Sequence, residues 1–259
     1  MATLESRENR AFAYEIKFML PVCEARELRD WARKRMRPDP NTQSGIGDTY
    51  RISSLYFDTR DFDVFHKRGS FGRCKYRVRR YDCSEKVFLE RKLRNDHSVT
   101  KRRTVVPVAE LRRLRQDPAC SPEPEKWAGR WFERRIETRG MAPVCQISYV
   151  RTALVSEDES GLFRLTLDED LRAWAVREPA FHAISGGGAL VHDHMIVEMK
   201  FRLGMPALFR EALEKFRIES QPISKYRLAV TGLGYAPATP PVETHTLETG
   251  NASPAAANI

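Results

Sequence analysis

The chain predicts an α+β fold, an eight-stranded antiparallel β-barrel with helices packed on its outside. Three observations lead there. Strand-like segments between Arg73 and Arg103 place a cation at every second residue, the same period-two charge returns in three further segments, and the apolar spacing between strands shifts to that of helices.

Successive side chains of a strand point to opposite faces, so a half-buried strand alternates apolar and polar residues. Here the second face is charged. Between Arg73 and Arg103 stand twelve lysines and arginines against four acids. In R-C-K-Y-R-V-R-R-Y, Arg73, Lys75, Arg77 and Arg79 share one face, Cys74, Tyr76 and Val78 take the other, and Arg80 falls outward. Phe88, Glu90 and Lys92 share a face in V-F-L-E-R-K, and Lys101 and Arg103 repeat the spacing after a turn at Arg94 to His97. Glu15 and Lys17, Tyr149 and Arg151, and Glu198 and Lys200 continue the pattern, set against Tyr14, Ile16 and Phe18 in the first case and Val197, Met199 and Phe201 in the last. Crowded cations repel unless water or a polyanion compensates them. A solvated outer sheet face is the plain explanation for any one strand. Repetition favours the opposite arrangement, in which the apolar face packs outward against helices and the charges line a barrel wide enough for a ligand.

In chain order, a strand over Phe12 to Leu20 ends at Pro21, before a helix from Val22 to Met36. Pro38 to Asp48 reads as a loop, Tyr50 to Asp58 as a strand, and Phe62 to His66 as a helical turn. Gly69 and Gly72 break the chain ahead of the basic strand Arg73 to Tyr81, whose hairpin partner is Lys86 to Leu93. A strand from Thr100 to Val106 stops at Pro107. From Val108 to Arg139 the apolar residues Leu111, Leu114, Trp127, Trp131, Phe132 and Ile136 recur at helical spacing, which predicts a helical insert on the barrel's outside. Strands return at Val144 to Leu154, Leu162 to Asp168 and His194 to Phe201, with a Gly186 to Gly188 loop before the last, and a helix follows from Pro206 to Ile218. Residues 1–235 are expected to form one domain. The Pro-, Ala- and Thr-rich tail, 236–259, is expected to be disordered.

A formal charge of +9 favours anionic partners. Five scattered cysteines with no C-x-x-C spacing argue against a disulfide framework or a zinc site and fit a reducing cytoplasm. No apolar leader and no membrane-length apolar stretch is present in this sequence. The H-x-H at His192 and His194, in a loop beside a strand, reads as solvated. A nucleic-acid surface would interleave exposed cations with aromatics, and the inward charge inferred here argues against nucleic acid as partner.

The motifs Y-E-I-K-F (Tyr14 to Phe18), I-S-S-L-Y-F-D-T (Ile52 to Thr59), K-Y-R-V-R-R-Y (Lys75 to Tyr81), V-F-L-E-R-K (Val87 to Lys92), S-Y-V-R-T-A (Ser148 to Ala153), L-D-E-D-L (Leu167 to Leu171), V-E-M-K-F (Val197 to Phe201) and S-K-Y-R (Ser224 to Arg227) occur in this order. The ordered set resembles the VTC domain, the polyphosphate polymerase branch of the triphosphate tunnel metalloenzyme (CYTH-like) superfamily. That resemblance implies a tunnel whose interior cations bind ATP and inorganic polyphosphate, with Mn²⁺ or Mg²⁺ held by glutamate. It implies catalytic roles for Arg77, Arg79, Lys92, Arg151 and Lys200. Lys17, Lys75, Lys101, Arg103, Ser224 and Lys225 are the implied substrate-binding residues. Glu198 is the implied main metal ligand, with Glu90 and Glu15 supporting the metal or pairing with neighbouring lysines. Asp168 and Asp170 are weaker candidates, since L-D-E-D-L also reads as a strand end with solvated acids. Many hydrolytic members begin E-x-E-x-K, whereas Ala13 stands at the first position here, which favours a polymerase over an inorganic triphosphatase, a nucleoside triphosphatase or an adenylyl cyclase. A noncatalytic polyphosphate-binding domain is the other alternative. Oligomeric state and a membrane-protein partner for the product stay open.

Overall fold

The computed structural model describes residues 6–11, 14–40, 47–94, 98–115 and 127–235. Among them eleven strands form one antiparallel sheet, and nine lie on a continuous path. In chain order the strands are β1 (Ser6–Ala11), β2 (Tyr14–Pro21), β3 (Arg37–Pro38), β4 (Thr49–Thr59), β5 (Cys74–Tyr81), β6 (Lys86–Arg94), β7 (Ser98–Pro107), β8 (Met141–Asp158), β9 (Gly161–Ala175), β10 (Gly188–Ala189) and β11 (His194–Phe201). The path runs β1-β7-β6-β5-β4-β8-β9-β11-β2. Its two edge strands are neighbours in sequence. Three Cα steps of 3.8 Å separate Ala11 from Tyr14, so the far edges of the sheet lie within about 11 Å of each other and the sheet must curl round on itself. Between β6 and β2 the gap is spanned by an ion pair, Lys92 Nζ to Glu15 at 3.6 Å, and the backbone N–H of Gln221 donates to the Lys17 carbonyl of β2 at 2.7 Å.

The helices cover the outside, as the apolar parity requires. Helix α1 (Val22–Arg33) buries Ala25, Leu28, Trp31 and Ala32, and α4 (Ala207–Phe216) buries Phe209 and Ala212. Both press on Phe18, Leu165, Leu167, Val197 and Met199. Helix α3 (Arg130–Thr138) seats Phe132 and Ile136 with Leu111 on Leu55, Phe57, Tyr76, Val78, Val87 and Leu89. Among the described residues no helix is long and apolar enough to cross a membrane.

Several boundaries differ from expectation for physical reasons. The stripe of α1 extends to Met36, but the helix ends at Arg33 because Arg37 precedes a proline, takes extended geometry and joins β8 as β3. Arg73 does not open the basic strand. It ends a short 3₁₀ turn, Gly69–Arg73, and is exposed. Gly72 in that turn passes so close to Lys67 that an added Cβ would sit 2.7 Å from its carbonyl oxygen. Among the described residues the expected helical insert appears as a 3₁₀ turn at Val108–Arg115 and the helix α3. Expectations for Phe12, the Asn95 to His97 turn and the tail from 236 lie outside the described residues.

Strand β9 continues seven residues beyond the predicted Asp168 end. Its register on β8 shifts between Ser148 and Val150, and Asp170 takes a left-handed φ of 50°. One extra residue in β9 is a β-bulge, and it reverses which side chains face inward. Before it, Arg164, Thr166 and Asp168 share the inner face with Lys200 and Glu198. After it, Leu171 and Ala173 lie in one apolar cluster with Ile147 and Ile196.

That apolar part of the lumen seats α5 (Lys225–Gly232), a helix the sequence reading did not anticipate, through Tyr226, Ala229 and Val230. Tyr226 stacks on Tyr56 with ring centroids 5.3 Å apart, and its hydroxyl donates to Asp58 Oδ2 at 2.5 Å. Asp58 is 1% exposed and accepts three further bonds, from the N–H groups of Thr59, Val64 and Phe65, so it also caps the turn α2 (Asp63–His66). Burial, with Asp58 alongside, pushes the Tyr226 phenol well up and keeps it a donor. Tyr226→Phe removes one bond to a buried carboxylate and is expected to lower stability by about 2 kcal/mol. Asp58→Ala, which strands three N–H groups, is expected to lower it further, and urea melts monitored by circular dichroism read both.

Candidate functional site: a cationic tunnel

The register fixes which side chains meet inside. Arg77 pairs with Glu90 and Tyr56, Arg79 with Ser54 and Phe88, and Glu90 with Arg103. Each pair lies directly across neighbouring strands on the lumen side. Glu90, 2% exposed, is ringed by four cations. Arg77 Nε lies 2.6 Å and Arg79 Nε 4.0 Å from Oε2, and Lys101 Nζ lies 3.1 Å and Arg103 Nε 3.2 Å from Oε1. Burial alone would raise the Glu90 carboxyl, but Arg77, Arg79, Lys101 and Arg103 outweigh it and hold it well below the usual carboxylate range. One carboxylate among four cations leaves a surplus of positive charge in a confined space.

Hydroxyl groups fix the arginine orientations. Arg77 Nη1 donates to Tyr56 Oη at 3.4 Å, Arg79 Nε to Ser54 Oγ at 3.4 Å, and Arg103 Nη2 to Tyr81 Oη at 3.1 Å. Burial would raise Tyr81, yet Arg79 and Arg103 favour the phenolate and bring it down to about 8. Lys75 moves to a similar value, but there burial and neighbouring cations act in the same direction. Desolvation by the tunnel wall, then Lys17, Lys92 and Arg77, pushes its ammonium down to about 8, although the side chain remains open to solvent.

A second cluster lies on β2, β8, β9 and β11, nearer α5, and is almost balanced. Lys17 bridges Glu15 at 2.9 Å and Glu198 at 3.6 Å. Lys200 bridges the same two acids at 3.2 and 3.3 Å. Arg151 forks onto Asp168 with bonds of 2.6 and 2.7 Å, and Lys225 reaches Asp168 at 2.6 Å and Glu198 at 3.1 Å. Burial opposes ionisation of Glu198, but Lys225, Lys200, Lys17 and Arg151 keep it well below its ordinary value. Glu15 is lowered by Lys200, Lys17 and Lys92 against burial and the nearby Glu198 charge. Ser224 caps α5 by accepting from the Arg227 N–H at 3.5 Å, and its Oγ also accepts from Lys75 Nζ at 3.2 Å.

The expected residues therefore gather on one inner face, with two qualifications of arrangement. The three glutamates do not converge: Glu15 and Glu198 share lysines, while Glu90 belongs to the arginine ring. Among the described residues no group of three potential metal ligands forms. This donor set fits a divalent cation that takes one or two carboxylates and completes its shell with phosphate oxygens and water, and it does not fit an all-protein cage. Glu198 with Glu15 would hold such an ion. Asp168 and Asp170 separate completely: Asp168 is fully buried in the second cluster, whereas Asp170 is turned outward by the bulge to Arg51 and Arg172. Arg80 points outward, its Nε donating to the Ser84 carbonyl.

Sequence reasoning missed Arg164. It pairs in register with Lys200 and lies 3.2 Å from the buried Asp39. The signal was present in R-L-T-L-D, where Arg164, Thr166 and Asp168 share parity, but it depended on knowing that Asp168 faces inward. The hydroxyls of Ser54, Tyr56 and Tyr81 were also unassigned, since their strand parity shows only against a known inner face.

The sequence model of the VTC domain matches residues 12–233. No curated protein matches the chain. Among solved structures, a candidate adenylate cyclase from Bacillus halodurans aligns at a TM-score of 0.48 with 15% identity, over 84% of this chain and 95% of its own. A candidate adenylyl cyclase from Hippeastrum with a dominant triphosphatase activity aligns at 0.47 with 19% identity, over 85% and 96%. A protein from Pyrococcus horikoshii aligns at 0.41 with 13% identity, over 83% and 97%. Because the match to the VTC domain runs from the first lumen strand β2 through α5, this chain belongs to the VTC domain family.

Proposed function

We propose that this protein is a metal-dependent polyphosphate polymerase that transfers the γ-phosphoryl group of ATP to the end of a polyphosphate chain lying in the tunnel. Membership of the VTC domain family supports the reading. The observation that carries it is the ring of four cations around the buried Glu90. Such a surplus of charge suits a ligand with a phosphate every few ångströms, which arginine forks can grip by two oxygens at once.

In the reaction, a terminal oxygen of the acceptor chain attacks the γ-phosphorus, the bond to the β–γ bridging oxygen breaks, and ADP leaves with that electron pair. The acceptor is already an anion, so no proton must be removed from it. Arg77, Arg79, Lys101 and Arg103, with Lys75 and Lys92, would hold the non-bridging oxygens. Arg151, Lys17, Lys200 and Lys225 would align the phosphates beside the carboxylates. When held by Glu198 and Glu15, Mn²⁺ or Mg²⁺ supplies charge neutralisation at the reacting phosphates. Hydrolysis would need water activated by a base, and carboxylates kept far below their usual range by lysines are poor proton acceptors. The described cysteines are free, with Cys23 and Cys83 exposed, which suits a reducing cytoplasm.

Purified protein incubated with γ-labelled ATP, Mn²⁺ or Mg²⁺ and a short polyphosphate primer is expected to release ADP and build long labelled chains on a gel. Arg77→Ala and Glu198→Ala are each expected to lower kcat/KM by about a hundredfold or more. Free phosphate without chains would establish a triphosphatase instead, and tight polyphosphate binding without turnover would establish a binding domain.

Affinity for tripolyphosphate, measured by calorimetry, is expected to fall by about fivefold or more between pH 7 and pH 9. Lys75 carries its proton below about 8 and loses it above, while Tyr81 becomes anionic over the same range, so both changes remove positive charge as pH rises. Lys75→Arg, which stays charged, combined with Tyr81→Phe, which cannot ionise, is expected to flatten the profile.

A further inference from the structure

Polyphosphate has no apolar part, yet one mouth of the tunnel carries an aromatic wall. Tyr81 lies two residues beyond Arg79 on β5, and Phe88 pairs in register with Arg79 from β6, so both rings stand on the lumen side. They meet edge to face, with centroids 5.3 Å apart and planes at 84°. Tyr50 of β4 backs them, 5.8 Å from Tyr81. The Arg103 guanidinium sits 3.6 Å from the centre of the Phe88 ring and 5.6 Å from that of Tyr81, and its bond to the Tyr81 hydroxyl holds it there. Tyr81, Phe88 and Arg103 are all partly exposed. Their mouth is the one at the β5–β6 turn, at the opposite end of β5 from Lys75 and α5.

A flat guanidinium lying on an aromatic ring, with a second ring at its edge, is a surface on which a π-face stacks. Base stacking on such surfaces is favourable and tolerant of base identity. The spacing fits as well. One two-residue strand step, about 6.8 Å, separates Tyr81 from Arg79, so a phosphate held by Arg79 and a base placed at Tyr81 stand about one ribose apart. A bare phosphate chain would use the charge of Arg103 but nothing of the two rings.

We propose that Tyr81, Arg103 and Phe88 form a nucleobase platform at this mouth, which selects a nucleoside triphosphate over bare triphosphate and points its γ-phosphate inward past Arg77 towards Glu198. The proposal rests on the tunnel being a triphosphate site and adds the organic half of the substrate. It fixes a direction: the nucleotide enters at the β5–β6 end and its phosphates lead towards α5.

The experiment compares ATP with inorganic tripolyphosphate on the same protein. Phe88→Leu keeps apolar volume but removes a flat ring that offers phosphate no polar atom. It is expected to weaken ATP binding by about tenfold while leaving tripolyphosphate binding within twofold. In a protein bearing Phe88→Trp, ATP is expected to quench the introduced indole's fluorescence and tripolyphosphate is not, a readout that does not depend on destabilising the fold. Equal losses for both ligands, or no quenching by ATP in a protein that binds it, would overturn the platform and leave a packing cluster. If the wild-type protein binds neither ligand, the tunnel reading itself fails and the platform fails with it.

Discussion

Repulsion among cations on the inner face of a curled sheet is the constraint on which the rest of this structure depends. An isolated sheet bearing Lys75, Arg77, Arg79, Lys101 and Arg103 side by side would relax by opening to water. Here the outward faces of the same strands bury Tyr76, Val78, Val87 and Leu89 under α3, and Phe18, Val197 and Met199 under α1 and α4. Burying such side chains contributes roughly 1.5–3 kcal/mol each. That is the force holding the charged face inward. The barrel is thus inside out relative to a common soluble one, with its apolar layer between sheet and helices and its polar layer in the lumen.

Carboxylates set how the repulsion is distributed. Glu90 draws four cations to one point without neutralising them, whereas Glu15, Glu198 and Asp168 nearly balance Lys17, Lys200, Lys225 and Arg151. A polyanion entering this tunnel would meet a steep attraction at the arginine ring and a flatter potential beyond it. Each lysine between Glu15 and Glu198 is held by two acids at once, so phosphate oxygens must compete with carboxylates for the ammonium groups. A divalent cation held by those carboxylates would free the lysines for phosphate, so metal and polyanion would favour each other in this cluster.

Period-two alternation made the inner face legible from sequence, because β2, β5, β6 and β11 keep strict parity throughout. Lys17, Lys75, Arg77, Arg79, Glu90, Lys92, Glu198 and Lys200 all fall where alternation puts them. Parity failed where the backbone breaks it. Asp168 and Asp170 share parity in L-D-E-D-L, yet the left-handed turn at Asp170 sends one to the lumen and the other to solvent. Arg73 shares parity with Arg77, but the turn through Gly72 ends one residue too late for it to join the strand. Helix α5 was invisible for a different reason: its buried residues face the inside of the barrel, and eight residues are too short to show a repeating helical stripe.

The bulge at Asp170 joins these threads. By reversing parity inside β9 it divides one lumen into two chemistries, charged up to Asp168 and apolar from Leu171. The apolar half gives α5 a seat, and Tyr226 anchored on Asp58 fixes that helix axially. Only then does Lys225, at its first turn, reach Asp168 and Glu198 with short contacts. Without the bulge, Asp170 and Arg172 would face inward where Ala229 and Val230 now pack, and burying a charge there without partners is strongly unfavourable. One residue in a left-handed conformation therefore determines where the cationic tunnel ends, which carboxylate meets Arg151, and how the closing helix contributes a cation to the site.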